Sequence, residues 1–171
     1  MSASPVVVLC TGNAARSVMA GAALEVHVPD RPVVTAGTLV VEGQPMSWRT
    51  RAALEGVGVP VPSHRSRQAT ASELDHAGLV IALAPEHVAW VRRTHPRVAD
   101  RTGTLHRLAR DLPTGPEPLD TRVAALHLGR IEPEPWEEVV DPGGGDAEAF
   151  AACAREIVAL VEVLAPRLAG P

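Results

Sequence analysis

Short β-branched runs along this chain alternate with longer stretches in which apolar positions recur every third or fourth residue. Residues 6–9, "VVVL", form a continuous apolar run between Pro5 and a glycine-containing loop, the pattern of a strand buried on both faces. Residues 17–28 follow with Val18, Ala22 and Val26 four apart, which predicts a helix. A second apolar segment, residues 32–36, ends at "AGT", and a helix is expected over residues 47–55, stopped by "GVGVP". "GLVIAL", residues 78–83, is the next buried strand. It leads into a helix over residues 85–93 whose first turn suits Pro85, and a weak strand is expected at residues 103–106. The Pro-, Gly- and Glu-rich tract from Asp111 to Asp146 reads as loop with at most a short helix at residues 121–128. From residue 146 to 168, Phe150, Ile157, Leu160, Val161 and Leu164 mark a closing amphipathic helix.

Strands alternating with helices predict an α/β fold: a single-domain three-layer sandwich over residues 1–171, with a central four-stranded parallel sheet covered by helices on both faces. Ligands of such sheets sit at the carboxyl ends of strands, and Cys10 stands at one, followed by a loop suited to phosphate. There is no internal repeat or heptad pattern.

Composition narrows the class. The 171 residues suit one domain, which buries roughly 70% of its unfolded-chain surface. No apolar run nears the about 20 residues of a membrane span, and "MSASP" has no basic segment before an apolar one, so a cytoplasmic protein with no membrane partner is expected. Two cysteines, Cys10 and Cys153, are too few for a disulfide framework. The net charge of −4 argues against nucleic acid as a partner. All sixteen basic residues are arginine and there is no tyrosine. An anion site must therefore use arginine or backbone N–H groups, and lysine Schiff-base chemistry is excluded. His87, His95 and His106 lack recognised metal-ligand spacing and read as surface or core histidines, so neither a metal nor a cofactor is expected. Arg92, Arg93, Arg97, Arg101, Arg107 and Arg110 read as a solvated basic face, with steering of an acidic substrate as the alternative.

The stretch "VLCTGNAARSV" carries the chemistry. Five residues separate Cys10 from Arg16, enough for Thr11, Gly12, Asn13, Ala14 and Ala15 to curl round a tetrahedral anion with their N–H groups inward, Gly12 permitting the turn. Ser17 opens the helix, whose amino end adds partial positive charge, and Arg16 supplies a planar fork for two phosphate oxygens. The same field favours thiolate over thiol at Cys10. A cysteine ending an apolar strand is ordinarily a core residue, but the Cys-x5-Arg-Ser pattern between strand and helix points to a nucleophile. Attack on phosphorus needs an acid for the leaving atom. Asp141 in "VVDPGGGD" is the candidate, although by itself it reads more readily as a solvated or capping loop aspartate starting a turn.

"VLCTGNAARSVMA" resembles the signature of the low-molecular-weight protein tyrosine phosphatases. "TAGT" (residues 35–38), "SHRSRQATASEL" (63–74) and "DPGGGDAEAF" (141–150) are similar to further segments of that family, in the family's order. The resemblance implies that Cys10 is the nucleophile, Arg16 the phosphate clamp and Asp141 first acid and then base. It implies that Asn13 holds the strained loop, that Ser17 hydrogen-bonds the sulfur, and that Thr35 and His64 support Asn13.

Two departures are visible. The aromatics that often follow the acid-loop proline are replaced by Gly143 and Gly144, and Val40 or Val41 stands where a wall aromatic is common, leaving Trp48 or Trp136 to reach the cleft and a glycine run to loosen the acid loop. Ala15 replaces the second loop cysteine, and Cys153 is expected to lie far from Cys10, so sulfenate trapping and disulfide-shuttling arsenate reduction are not expected. The expected function is hydrolysis of phosphomonoesters, of a phosphorylated protein or a small phosphomonoester, through a phosphocysteine, by a monomer or weak dimer. The alternatives are a phosphate-binding regulatory module and a phosphatase for a small metabolite.

Overall fold

Valines at consecutive positions of the first strand need cover on two sides, and the fold supplies it. In the computed structural model, which describes residues 3–170, β1 (Val6–Cys10) is buried along its whole length. Parallel strands β2 (Val33–Gly37) and β3 (Leu79–Ala82) flank it, and β4 (Thr102–Thr104) completes a four-stranded sheet in the order β2-β1-β3-β4. Val6, Val8 and Cys10 face one apolar cluster and Val7 and Leu9 the other, as the two-residue period of a strand requires. The first cluster is completed by α1 (Arg16–His27), α2 (Trp48–Gly56), α5 (Leu105–Asp111) and α7 (Ala147–Leu168). The second is covered by α3 (Ala71–His76), α4 (Pro85–Thr94) and the 3-10 segment Pro96–Arg101. The expected three-layer α/β arrangement is the one observed.

The local signals explain the main elements. Ser47 caps α2 by accepting from Thr50 N–H, Pro85 occupies the first turn of α4, and Asp146 caps α7 by accepting from Ala149 N–H. Three expectations shift. β4 ends at Thr104, whose side chain caps α5, so His106 is helical rather than in the strand. The helices α3 and α5 were not expected: they have six and seven residues, too few to show a helical period. In the Pro-rich tract α6 (Leu119–Ala124) begins and ends earlier than the expected helix.

The arginine-rich stretch is a solvated face only in part: Arg93, Arg97 and Arg110 are exposed, whereas Arg92, Arg101 and Arg107 turn inward. Arg107 is buried and grips Glu137 with two nitrogens, Nε and Nη2, at 2.9 and 2.7 Å, while Thr104 Oγ1 donates to the same carboxylate at 2.7 Å. Burial alone would raise the Glu137 carboxyl; donors from Arg107, the Glu134 N–H and Thr104 outweigh it and hold it below the usual carboxylate range. Arg92 donates to the carbonyls of Leu128 and Ile131, and Arg101 to those of Leu74 and Asp75. Arg92 thereby ties the segment after α6 to α4, and Arg101 ties the end of α3 to the residues just before β4.

Candidate active site

The loop after β1 is held from outside by its carbonyls. Those of Cys10 and Thr11 accept from Thr38 and Leu39 N–H, each at 3.0 Å. The Asn13 carbonyl accepts from Ser66 Oγ at 2.9 Å and His64 Nε2 at 2.7 Å, and that of Ala14 from Thr50 Oγ1 at 3.2 Å. Ala15 O takes the Met19 N–H of the first turn of α1. The N–H groups of residues 12–15 donate to no protein acceptor among the described residues. With the carbonyls drawn outward and the amides unspent, the loop is a nest whose inner side suits an anion, and the α1 amino end adds its partial charge.

The strained residue is Asn13, at φ 50°, rather than Gly12, whose φ is not positive and beside which there is open space. The Asn13 side chain accounts for the strain. Its Nδ2 donates to Ser17 Oγ at 3.0 Å and to Thr35 Oγ1 at 3.1 Å, and its Oδ1 accepts from Arg67 N–H at 3.0 Å. Because Ser17 Oγ accepts from Asn13, its own hydrogen is free for Cys10 Sγ, 3.0 Å away. Gly37 lets the end of β2 pass the loop: a Cβ there would stand 2.5 Å from Thr11 O and 3.0 Å from Asn13 N.

Arg16 is 3% exposed and has three partners: Val139 O at 3.0 Å from Nη1, Asp141 Oδ2 at 3.5 Å and Glu86 Oε1 at 3.9 Å, both from Nη2. Val139 also donates its N–H to Leu83 O at the end of β3. The segment before Asp141 is thus pinned to the sheet and to the cradle arginine at one residue. Asp141 does start a turn, as its local sequence suggested: its Oδ1 accepts from Gly143 N–H at 2.9 Å and Gly145 N–H returns to Pro142 O at 2.8 Å, with Gly144 at φ 79°. The glycine run is therefore an organised turn, not a loose loop. A Cβ at Gly143 would sit 3.1 Å from Asp141 Oδ1, so a ring cannot be added there without crowding the carboxylate. Cys10, Gly12, Arg16, Asp141, Ser47 and Phe150 share a cleft of about 280 Å³.

Several residues lie elsewhere than expected. Trp136 packs over Arg107 and Arg110, away from the cleft, and Val41 is exposed. The exposed Trp48 follows Ser47 at the cleft edge, while Phe150 of α7 is the ring that lines it. Cys153 is not remote: its Sγ lies 3.9 Å from Val140 O beneath the segment that leads to Asp141, in the same apolar cluster as Cys10. Both cysteines are free thiols, and burial, helped by the charge of Glu156, pushes the Cys153 thiol up to about 12. Sequence reasoning missed Thr50, Ser66 and Arg67, which hold the loop, and Glu86 and His87, which follow β3. His87 is 1% exposed and its Nε2 lies 3.0 Å from Thr11 Oγ1; burial, then the charge of Arg16, pushes its pKa down to about 3, so it is neutral. The only available signal was position: the carboxyl end of the strand beside β1.

A three-layer parallel α/β fold with a Cys-x5-Arg-Ser nest at the end of its first strand defines a cysteine-dependent phosphatase, an enzyme that hydrolyses phosphomonoesters. The family model described as low molecular weight phosphotyrosine protein phosphatase matches residues 5–115, and the chain belongs to that family. It is 29% identical to a protein-arginine-phosphatase of Geobacillus stearothermophilus over 94% of this chain and 93% of that protein. It is also 29% identical to a probable low molecular weight protein-tyrosine-phosphatase of Ralstonia solanacearum, over 60% of this chain and 69% of that one. The solved YwlE arginine phosphatase of Geobacillus stearothermophilus superposes with a TM-score of 0.78 at 28% identity, over 97% of this chain and 93% of its own. No helix among the described residues is long and apolar enough to cross a membrane.

Proposed function

We propose that Cys10 Sγ attacks phosphorus in line with the leaving atom. The bond from phosphorus to that atom breaks, its electron pair staying with the atom, which takes a proton from Asp141. Arg16 and the N–H groups of residues 12–15 hold the three equatorial oxygens, where charge gathers in the transition state. Water then attacks the phosphocysteine and gives a proton to Asp141. The P–S bond breaks, its pair returns to Sγ, and the Ser17 hydroxyl stabilises the thiolate. Asn13, Thr35 and His64 position the loop. One observation carries this reading: the sulfur, the buried guanidinium and the carboxylate share a single cleft floored by unspent amides.

Hydrolysis of p-nitrophenyl phosphate in EDTA tests it. Cys10→Ser is expected to abolish turnover, and Asp141→Asn to slow hydrolysis about a hundredfold when phenyl phosphate, with its poorer leaving group, replaces p-nitrophenyl phosphate. Turnover retained in Cys10→Ser overturns the covalent route. No turnover from folded wild type that still binds phosphate would instead support a phosphate-binding module.

For the substrate, we infer a phosphorylated arginine side chain of a protein. The match to an arginine phosphatase runs nearly end to end, and among the described residues the cleft lining holds one ring, Phe150, with no second ring to complete a sandwich around an aryl group. The reaction cleaves a P–N bond, and the departing guanidine nitrogen takes the Asp141 proton to leave as guanidinium.

A further inference from the structure

Glu86 is out of place for a site that must grip a dianion. Its Oε1 lies 3.9 Å from Arg16 Nη2, the nitrogen that also faces Asp141, and accepts from Thr11 Oγ1 at 3.4 Å, yet its side chain is 66% exposed. As a first-turn residue of α4 it favours the helix dipole, but that role needs no contact with the cradle. A carboxylate there repels an incoming phosphate and competes with it for Arg16. The placement makes sense if the bound molecule carries positive charge beside its phosphate.

A second cavity, of about 390 Å³, is lined by Thr11, Leu39, Glu86, Trp90 and Arg93. Trp90 offers an indole on which a planar cation can stack. Arg93, the other charged residue in that lining, is two helical turns from Glu86, about 10 Å along α4. The end of the cavity nearest the cradle is therefore acidic, and Trp90 lies along α4 between Glu86 and Arg93.

We propose that Glu86 is a specificity determinant that accepts a bidentate hydrogen bond from the guanidinium of a phosphoarginine substrate seated between the cradle and the Trp90 cavity. The proposal rests on the phosphoarginine reading above. When the phosphate displaces Glu86 from Arg16, the carboxylate turns to the guanidinium N–H fork, whose planar geometry matches it. An aryl phosphate offers no such donor, and against it Glu86 acts only as a like charge.

The two substrate classes must then respond to Glu86→Gln in opposite directions. For a phosphoarginine peptide kcat/KM is expected to fall about tenfold or more, mainly through KM. For p-nitrophenyl phosphate it is expected to rise about two- to fivefold as the repulsion is relieved. Glu86→Ala should give the same pair of signs, and since the side chain is exposed both variants should melt close to wild type. Changes in the same direction for both substrates, or no change for phosphoarginine in an enzyme that hydrolyses it, overturn the proposal alone. Wild type that turns over p-nitrophenyl phosphate but no phosphoarginine overturns the substrate reading and this proposal with it.

Discussion

His87 shows how one buried side chain acquires a pH signature. Desolvation and the neighbouring Arg16 keep it neutral until about pH 3, whereas in the unfolded chain it takes a proton near 6.5. Between these values the unfolded state binds more protons, so the stability this residue contributes is complete above pH 6.5 and is lost as pH falls toward 3, by up to about 1.4 kcal/mol per pH unit. Urea unfolding from pH 7 to 4.5 should show this slope, and His87→Asn should flatten it by about one proton; equal slopes would mean that His87 is not held neutral. Little of this was legible beforehand, because nothing in "LAPEHVAW" distinguishes a buried neutral histidine from a surface one. Asn13 differs: the resemblance already suggested its role, and its left-handed backbone with three side-chain hydrogen bonds is the geometry such a role requires.

Among the elements, the segment that carries Asp141 depends on a neighbour distant in sequence. Glu137, buried against Arg107 of α5, fixes the chain two residues before Val139, whose N–H and carbonyl tie Asp141's segment to β3 and to Arg16. Glu137→Ala leaves Arg107 buried without its main partner and should cost about 3–5 kcal/mol in urea unfolding, with slower p-nitrophenyl phosphate turnover as the segment loosens. Replacing both residues with Arg107→Met and Glu137→Leu should recover most of the stability, since desolvation of the pair offsets much of its attraction. Failure of the double variant to recover would mean that the pair is intrinsically stabilising. The long helices α1 and α7 were readable from periodicity and β1 from its continuous apolar run, but α3 and α5 were not, since two turns of helix give too few positions for a pattern to repeat.

For the whole molecule, phosphate held in the proposed cradle should couple binding to stability. A ligand that binds only the folded state stabilises it by about 2.7 kcal/mol at a hundred times its Kd. Phosphate should therefore raise the melting temperature of wild type and Cys10→Ser alike, and should barely move Arg16→Met; an equal shift in Arg16→Met would place the anion elsewhere. The sequence alone determined what is encoded locally: a buried first strand, a Cys-x5-Arg-Ser loop opening a helix, alternation that implies a parallel sheet, and a long closing helix. These depend on φ/ψ preferences and apolar spacing within a few residues of each other. The tertiary structure decided which distant groups meet there: Thr50, Ser66 and Arg67 on the loop, Val139 and Asp141 at Arg16, Glu86 and His87 beside Thr11. That convergence follows from the strand order β2-β1-β3-β4, which sets the ends of β2 and β3 on either side of Cys10. Strand order is chosen by how helices of different lengths cover two faces of one sheet, a global packing choice that no local pattern records.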